Sequence, residues 1–332
     1  MNTKPSECRR VLAATDLTAS SEAALQQAAS LATRAALPLT LVHCLPHLRQ
    51  LLLQASREAR QDLLQGTGER FQREIRLRAE QQLQAWITRW EQTHGTPPQP
   101  FHHEVLLGTP YIAITHAVQQ QGFDLVVVGS RGVGQRFPWT LGSTAQRLIR
   151  ECPATVWVVK PDKTTLPRKI LVATDFSETS RRAVQQAVWL AEVLPAELLI
   201  GHVVDSHDVP EEFLTHLPPG VTLQPAIESR ARDLLEQHCQ ELVPSGISYQ
   251  SLLGWGTPWQ VLHDWQQQHH PELLVLGTQG RTGMKGWLLG NTAEKVLQHT
   301  ESPLWVVKPA GFVSSIDPPF WPLTPPASRN AQ

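Results

Sequence analysis

Asp124-Leu125-Val126-Val127-Val128-Gly129-Ser130-Arg131-Gly132 returns as Glu272-Leu273-Leu274-Val275-Leu276-Gly277-Thr278-Gln279-Gly280, 148 residues later. Four consecutive apolar residues in each copy suit a strand buried on both faces. Such strands belong to parallel sheets covered by helices. One glycine follows the apolar run directly and a second comes three residues on. Further along stand Gly142-Ser143-Thr144 and Gly290-Asn291-Thr292, each opening a helical stretch, residues 145–150 and 293–299.

The repetition extends in both directions. Leu12-Ala13-Ala14-Thr15-Asp16-Leu17-Thr18 corresponds to Leu171-Val172-Ala173-Thr174-Asp175-Phe176-Ser177 at an offset of 159. Gly108-Thr109-Pro110 corresponds to Gly256-Thr257-Pro258 at an offset of 148, which then holds through Trp157-Val158-Val159-Lys160-Pro161 and Trp305-Val306-Val307-Lys308-Pro309. Two copies of one domain are fused, and the first carries 11 extra residues before its Gly-Thr-Pro turn. The expected domains are residues 8–161 and 168–309. A proline-rich tail, 310–332, reads as disordered or surface-draped, with Phe320-Trp321 as an anchor.

Within each copy, strand and helix patterns alternate. First strands are expected at 10–14 and 170–173, second strands at 39–43 and 197–203, and third strands at 103–107 and 248–253. Ala24, Leu25, Ala28, Leu31, Ala32 and Ala35 keep a helical rhythm, matched by Ala183, Val184, Ala187, Leu190, Ala191 and Leu194. A long charged helix is expected over 69–92, with Phe71, Ile75, Ala79, Leu83, Trp86, Ile87 and Trp90 on its apolar face. Its counterpart over 227–242 is shorter. Helices are expected to start after Thr109-Pro110 and Thr257-Pro258, with proline where its missing N–H costs little. The predicted fold is α/β: two tandem doubly wound five-stranded parallel-sheet domains. The last strands, 155–160 and 304–308, are apolar edges that need a partner. Pairing them with each other gives an internal pseudo-dimer, with further homodimerisation left to the remaining surface.

Bulk properties narrow the function. The chain has 332 residues and a net charge of −1, so no general basic field recruits nucleic acid or an anionic membrane. Cys8, Cys44, Cys152 and Cys239 are scattered, which favours reduced thiols over disulfides or zinc. No run is long and apolar enough to span a bilayer, and the first ten residues are polar, so a cytoplasmic location is expected. The histidines show no metal-ligand spacing and read as surface or strand-end residues. No P-loop and no Gly-x-Ser-x-Gly elbow is present.

The chemistry concentrates at the strand ends. In an open parallel sheet, ligands bind at the carboxyl edge. Glycine lets a ribose or phosphate approach the backbone and permits positive φ in a turn. A helix beginning at Gly142-Ser143 or Gly290-Asn291 aims unpaired N–H groups at an anion. Ser143 and Asn291 also read as plain N-caps; the identical spacing in both copies favours a phosphate cradle. Asp16 and Asp175 follow the first strands, where a carboxylate accepts hydrogen bonds from ribose hydroxyls or caps a helix.

Ala-Thr-Asp after the first strand, together with Gly-x2-Gly-x9-Gly-(Ser/Asn) after the fourth, resembles the universal stress protein family, in both copies. The resemblance implies Rossmann-like or flavodoxin-like layering, ATP binding with or without Mg2+, and dimer formation through the last strand. It implies ribose contacts from Asp16 and Asp175. It assigns ribose and phosphate contacts to Gly129, Gly132, Gly142, Ser143 and Thr144 in one site, and to Gly277, Gly280, Gly290, Asn291 and Thr292 in the other. Cys44 and Val203 would line the adenine pockets by their backbone. Phe137-Pro138-Trp139 departs from Lys285-Gly286-Trp287 and stiffens the first loop, so the first site is expected to bind more weakly or to hold a different nucleotide. The leading expectation is a cytoplasmic stress-response protein in which adenine nucleotide biases conformation or the choice of a still unidentified protein partner. Slow hydrolysis or autophosphorylation is compatible with it. The alternatives are a dimerising scaffold with empty pockets and an adenylyl-transfer enzyme.

Overall fold

The computed structural model describes residues 8–45, 68–95, 97, 101–131, 141–205, 224–280, 289–300 and 302–316. The first copy runs β1 (Val11–Thr15), α1 (Ala19–Ala35), β2 (Leu39–Leu45), α2 (Gly68–His94), β3 (His102–Leu107), α3 (Pro110–Gln121), β4 (Leu125–Gly129), α4 (Ser143–Glu151) and β5 (Thr155–Val159). The second runs β6 (Lys169–Thr174), α5 (Glu178–Val193), β7 (Glu197–Val204), α6 (Gln224–Leu242), β8 (Tyr249–Trp255), α7 (Pro258–His269), β9 (Leu273–Gly277), α8 (Asn291–His299) and β10 (Leu304–Val307).

All ten strands form one sheet in the order β3-β2-β1-β4-β5-β10-β9-β6-β7-β8. Each copy therefore has the order 3-2-1-4-5, which is Rossmann-like and not flavodoxin-like. Every pairing within a copy is parallel. The single antiparallel pairing joins the copies: Leu304, Trp305 and Val306 lie opposite Val158, Trp157 and Val156. The two apolar edges thus close each other, as expected.

Packing explains the elements. Leu12, Val126, Val128, Val156 and Val158 face one layer of helices, while Val11, Ala13, Val127, Trp157 and Val159 face the other. Period-two alternation between two covered faces is why these strands are apolar throughout. Helix α1 buries Ala24, Leu25, Ala28, Leu31 and Ala32 against the sheet, the rhythm read from the sequence. Helix α2 buries Ala79, Leu83, Trp86, Ile87 and Trp90; the side chain of Phe71 lies outside the described residues. The copies also exchange volume. In the second, Trp265 stacks so close to Gly201 and Gly254 that a Cβ on either would fall 2.4 Å and 2.9 Å from its ring. In the first, the corresponding pair is Val42 and Ala117, both buried. A large side chain on the helix is offset by bare backbone on the strand.

At the seam, Trp157 and Trp305 pack with ring centroids 5.4 Å apart. The Trp305 Nε1 donates to Gln186 Oε1 at 2.7 Å, and Thr155 Oγ1 donates to the same oxygen at 3.2 Å. Buried Lys308 follows β10 and donates from Nζ to the carbonyl of Ile149 and, at 2.9 Å, to that of Arg150. The chain beyond it runs back over the first copy: Phe312 lies against Lys308, and Ser315 Oγ donates to Glu151 Oε2 at 2.7 Å. Phe320 and Trp321 lie outside the described residues. All four cysteines are unpaired. Among the described residues, no helix is long and apolar enough to cross a membrane.

Burial, the largest cause, pulls the Lys308 ammonium down from 10.5 to about 8, with Arg150 acting in the same direction and Cys152 and Glu151 against it. Between those values the unfolded chain holds a proton that the folded chain has released, so stability rises with pH across the window. Thermal midpoints of the wild type and Lys308→Met, compared from pH 8 to 10.5, check this. The wild type should gain on the variant as pH rises, and a constant difference would contradict the assignment.

Candidate functional site

Strand order reverses between β1 and β4 and again between β6 and β9, and a cavity opens at the carboxyl edge of each switch point. The first, of about 250 Å3, is lined by Asp16, Cys44, Gly129, Gly142, Ser143 and Thr144, with Arg131, Pro110 and Ile114. The second, of about 390 Å3, is lined by Asp175, Val203, Gly277, Gly280, Gly290, Asn291 and Thr292, with Asp205, Gln279 and Leu262. Every candidate residue among the described ones therefore lies at one of the two cavities. Gly132, Arg281 and the segments Phe137-Pro138-Trp139 and Lys285-Gly286-Trp287 lie outside the described residues.

The helix starts differ from the capping expectation. Gly142 and Gly290 themselves are the N-caps of α4 and α8, with no side-chain cap, and Ser143 and Asn291 are the first helical residues. The N–H of each capping glycine donates inward, to Ser130 O at 2.7 Å and to Thr278 O at 2.6 Å. The next residues, Ser143 and Thr144 and Asn291 and Thr292, line the cavities, and as first-turn residues their amides have no intrahelical partner. A serine or aspartate cap would have occupied such donors from its own side chain. Glycine leaves them for an external anion.

Among the described residues, Gly129, Gly142, Gly277, Gly280 and Gly290, the glycine ladder of each copy, do not use the positive φ that glycine permits, whereas Gly108 and Gly256 do. What the ladder requires is space. A Cβ on Gly129 would lie 2.9 Å from the Ser20 carbonyl oxygen, and one on Gly277 would lie 2.9 Å from Thr179 Cγ2. These two glycines therefore seat α1 and α5 against the strand ends as well as lining the cavities. A Cβ on Gly280 would meet Asp175 Oδ2 at 2.5 Å. Bare backbone there gives the carboxylate its place.

Asp16 and Asp175 are not N-caps. Thr18 and Ser177 hold those positions, and Ser177 Oγ accepts from Ser180 N at 3.2 Å. Each aspartate accepts with Oδ1 from the main-chain N–H two residues on, at 3.1 Å in both copies. The intervening Leu17 and Phe176 adopt left-handed φ of 63° and 65°. Such a conformation costs roughly 1–3 kcal/mol at a bulky residue and clusters at ligand sites.

Three features escaped the sequence reading. His43 and His202 recur at the 159 offset and bond through Nδ1 to the carbonyls of Thr15 and Thr174, at 2.9 and 2.8 Å. They clamp the second strand to the residue before each aspartate. His116 and His238 are buried within helices α3 and α6, so the surface or strand-end assignment fails for them, while His202 is buried near the end of β7. Burial, aided by Arg181, lowers the His238 pKa, and its Nε2 lies 3.3 Å from Thr174 Oγ1. Asp205 also lines the second cavity, and among the described residues the first cavity has no acidic lining residue besides Asp16. The Cys44 thiol is pushed up to about 12 by burial and then by Glu104, which keeps it neutral.

Comparison with known proteins agrees with this architecture. The model of the universal stress protein family matches residues 7–160 and 167–308. Universal stress protein E of Escherichia coli (strain K12) is 26% identical over 248 residues, covering 71% of this chain and 77% of that protein. Universal stress protein MJ0577 of Methanocaldococcus jannaschii is 25% identical over 153 residues, covering 42% of this chain and 94% of its own. The crystal structure of a universal stress protein from Archaeoglobus fulgidus DSM 4304 shares the fold, with a TM-score of 0.57 at 20% identity, covering 91% of this chain and 99% of that one.

The glycines separate by what each faces. Gly129→Ala meets backbone and is expected to destabilise by about 1–3 kcal/mol. Gly280→Ala meets the far end of a side chain that can rotate, and is expected to cost less than about 1 kcal/mol. Urea denaturation of both variants reads the difference, and equal losses would contradict it.

Proposed function

Because the chain belongs to the universal stress protein family, we propose that it binds adenine nucleotide, as ATP, in both cavities, and that the nucleotide serves as a ligand and not as a rapidly consumed substrate. The observation that carries this reading is the duplicated pairing of an aspartate with a glycine-capped helix start across one cavity. Ribose hydroxyls donate to Asp16 or Asp175. Phosphate oxygens accept from the amides of Ser143 and Thr144, or of Asn291 and Thr292, where the helix dipole favours negative charge. Gly280 supports the fit, since a side chain there would fill the space that the Asp175 carboxylate takes. Gly129 and Gly277 seat α1 and α5 beneath the cavities, and Gly290 lets the start of α8 close on the Thr278 carbonyl oxygen, which a Cβ would approach to 3.3 Å. The adenine lies along the backbone at Cys44 and Val203, beside Ile114 in one cavity and Leu262 in the other.

Mg2+ bound with the nucleotide would be held by the phosphates and would offset their charge. Among the described residues, no group of three or more His, Cys, Asp or Glu side chains is placed to hold a metal by itself. Among the described lining residues the two sites differ in charge: Arg131 lines the first, whereas Gln279, at the same repeat position, and Asp205 line the second. The first cavity is also the smaller. Unpaired thiols fit a reducing, cytoplasmic setting. The nucleotide biases conformation and, through it, protein partners of a stress response.

Denaturing the purified protein and recording the ultraviolet spectrum and mass of the released small molecules tests the reading. Adenine nucleotide is expected. Calorimetric titration with ATP should give two sites in the wild type, one in Gly142→Val or Gly290→Val, and none when both are changed, because a β-branched residue crowds the backbone at the helix start, where a Cβ on Gly290 already comes 3.3 Å from the Thr278 carbonyl oxygen, and displaces the amides that hold the phosphates. Unchanged binding in the double variant would overturn the proposal.

A further inference from the structure

The last strand of each copy is followed by a lysine at the same repeat position: Lys160 after β5 and Lys308 after β10. Only 7% and 2% of these residues are exposed. Lysine is rarely buried, because an ammonium must then replace its hydration with protein oxygen. Here the replacement comes from the opposite copy. Lys308 donates to the carbonyls of Ile149 and Arg150, in the last turn of α4. Lys160 donates to the carbonyl of Thr300, the C-cap residue of α8, at 3.3 Å.

The sheet dictates this exchange. Antiparallel pairing sets Leu304 opposite Val158, so the carboxyl end of β10 lies at the amino end of β5, where α4 finishes. The same register brings the end of β5 to the finish of α8. Each lysine is also fixed by the ladder of its own copy. Thr278 N donates to Val307 O at 2.9 Å, and Gly290 N to Thr278 O at 2.6 Å. In the first copy, Ser130 N donates to Val159 O at 2.7 Å, and Gly142 N to Ser130 O at 2.7 Å. Arg150 and Glu294 join the two helices directly at 2.7 Å, although both are partly exposed and contribute little alone.

Helices α4 and α8 start at the cavities with the glycine-capped turns proposed to hold the phosphates, and Pro110 of α3 and Pro258 of α7 bring the starts of those helices to the same cavities. A cation at the carboxyl end of a short helix complements the same dipole that an anion complements at the other end, and burial reduces the screening between them. We propose that Lys308 is a positioning residue for the first nucleotide site and Lys160 for the second, so that each site is completed by a lysine from the other copy. This rests on the nucleotide reading given above. The lysine acts through the helix: it holds the terminal carbonyls in place and favours negative charge one helix length away. Neither copy would then carry its full affinity on its own, which gives the fusion of the two a role in binding as well as in folding.

The test uses the full chain and ATP, followed by calorimetry, with one site silenced at a time. In a Gly290→Val background only the first site remains. There Lys308→Met should weaken ATP binding about three- to tenfold, in the range for a charge at a helix end, while Lys160→Met changes it less than about twofold. In a Gly142→Val background the two lysines should exchange roles. Lys308→Arg should recover most of the first-site affinity, which a purely packing role would not explain. If Lys308→Met does not fold, Lys308→Gln removes the charge with a smaller change in polarity and reads the same quantity. Equal weakening of both sites by either lysine, or no change in either, would overturn the cross-copy assignment. A wild type that takes up no ATP would instead defeat the nucleotide reading, before any lysine is changed.

Discussion

The molecule depends on three facing residue pairs, Leu304 with Val158, Trp305 with Trp157 and Val306 with Val156. An apolar strand left open at the edge of a sheet invites pairing with another chain. Each copy has such a strand, and fusion supplies each with the other as a permanent partner. The result is one continuous ten-stranded sheet. Because this single pairing is antiparallel and all others are parallel, the strands of the two copies run in opposite directions. Their carboxyl edges, and with them the two cavities, therefore open at opposite ends of the sheet. The same reversal brings the end of each terminal strand beside the closing turn of the other copy's cavity helix.

Duplication gives the site its most informative comparison, since two versions share a scaffold and differ in detail. The aspartate, the left-handed residue after it, the strand-two histidine and the glycine cap are common to both. Arg131 against Gln279, Ser143 against Asn291, and the presence of Asp205 are not. The shared set builds a cavity with a hydrogen-bond acceptor at one side and main-chain donors at the other. The variable set adjusts its charge and volume. Both cavities lie where the strand order reverses, which in an open α/β sheet is where helices on opposite faces diverge and leave a crevice.

Much of this was legible in the chain because period and offset are strong signals. The apolar run 125–128 and its repeat at 273–276 identified the buried parallel strands. The apolar character of 156–159 and 304–307 was enough to expect their mutual pairing. What was not legible depends on the third dimension. Glycine is the same letter whether it supplies a left-handed turn, as at Gly108, or room for a neighbouring carbonyl, as at Gly129. Ser143 is by type a good capping side chain, and only the backbone shows that Gly142 holds the cap position of α4. The exchange of Val42 and Ala117 for Gly201 and Trp265 becomes meaningful only once α7 is known to lie on β7. His43 and His202 could have been found from their shared offset, but a histidine in a strand carries no local signature of the carbonyl it will meet.

The account turns on whether main-chain amides at two glycine-capped helix starts hold the phosphates of a nucleotide. A crystal structure of the full chain grown with Mg-ATP tests this most directly. The expected result is nucleotide at both switch points, with ribose hydroxyls on Asp16 and Asp175 and phosphate oxygens on the amides of Ser143, Thr144, Asn291 and Thr292. Cavities closed by the protein's own side chains, or nucleotide bound elsewhere on the molecule, would contradict it.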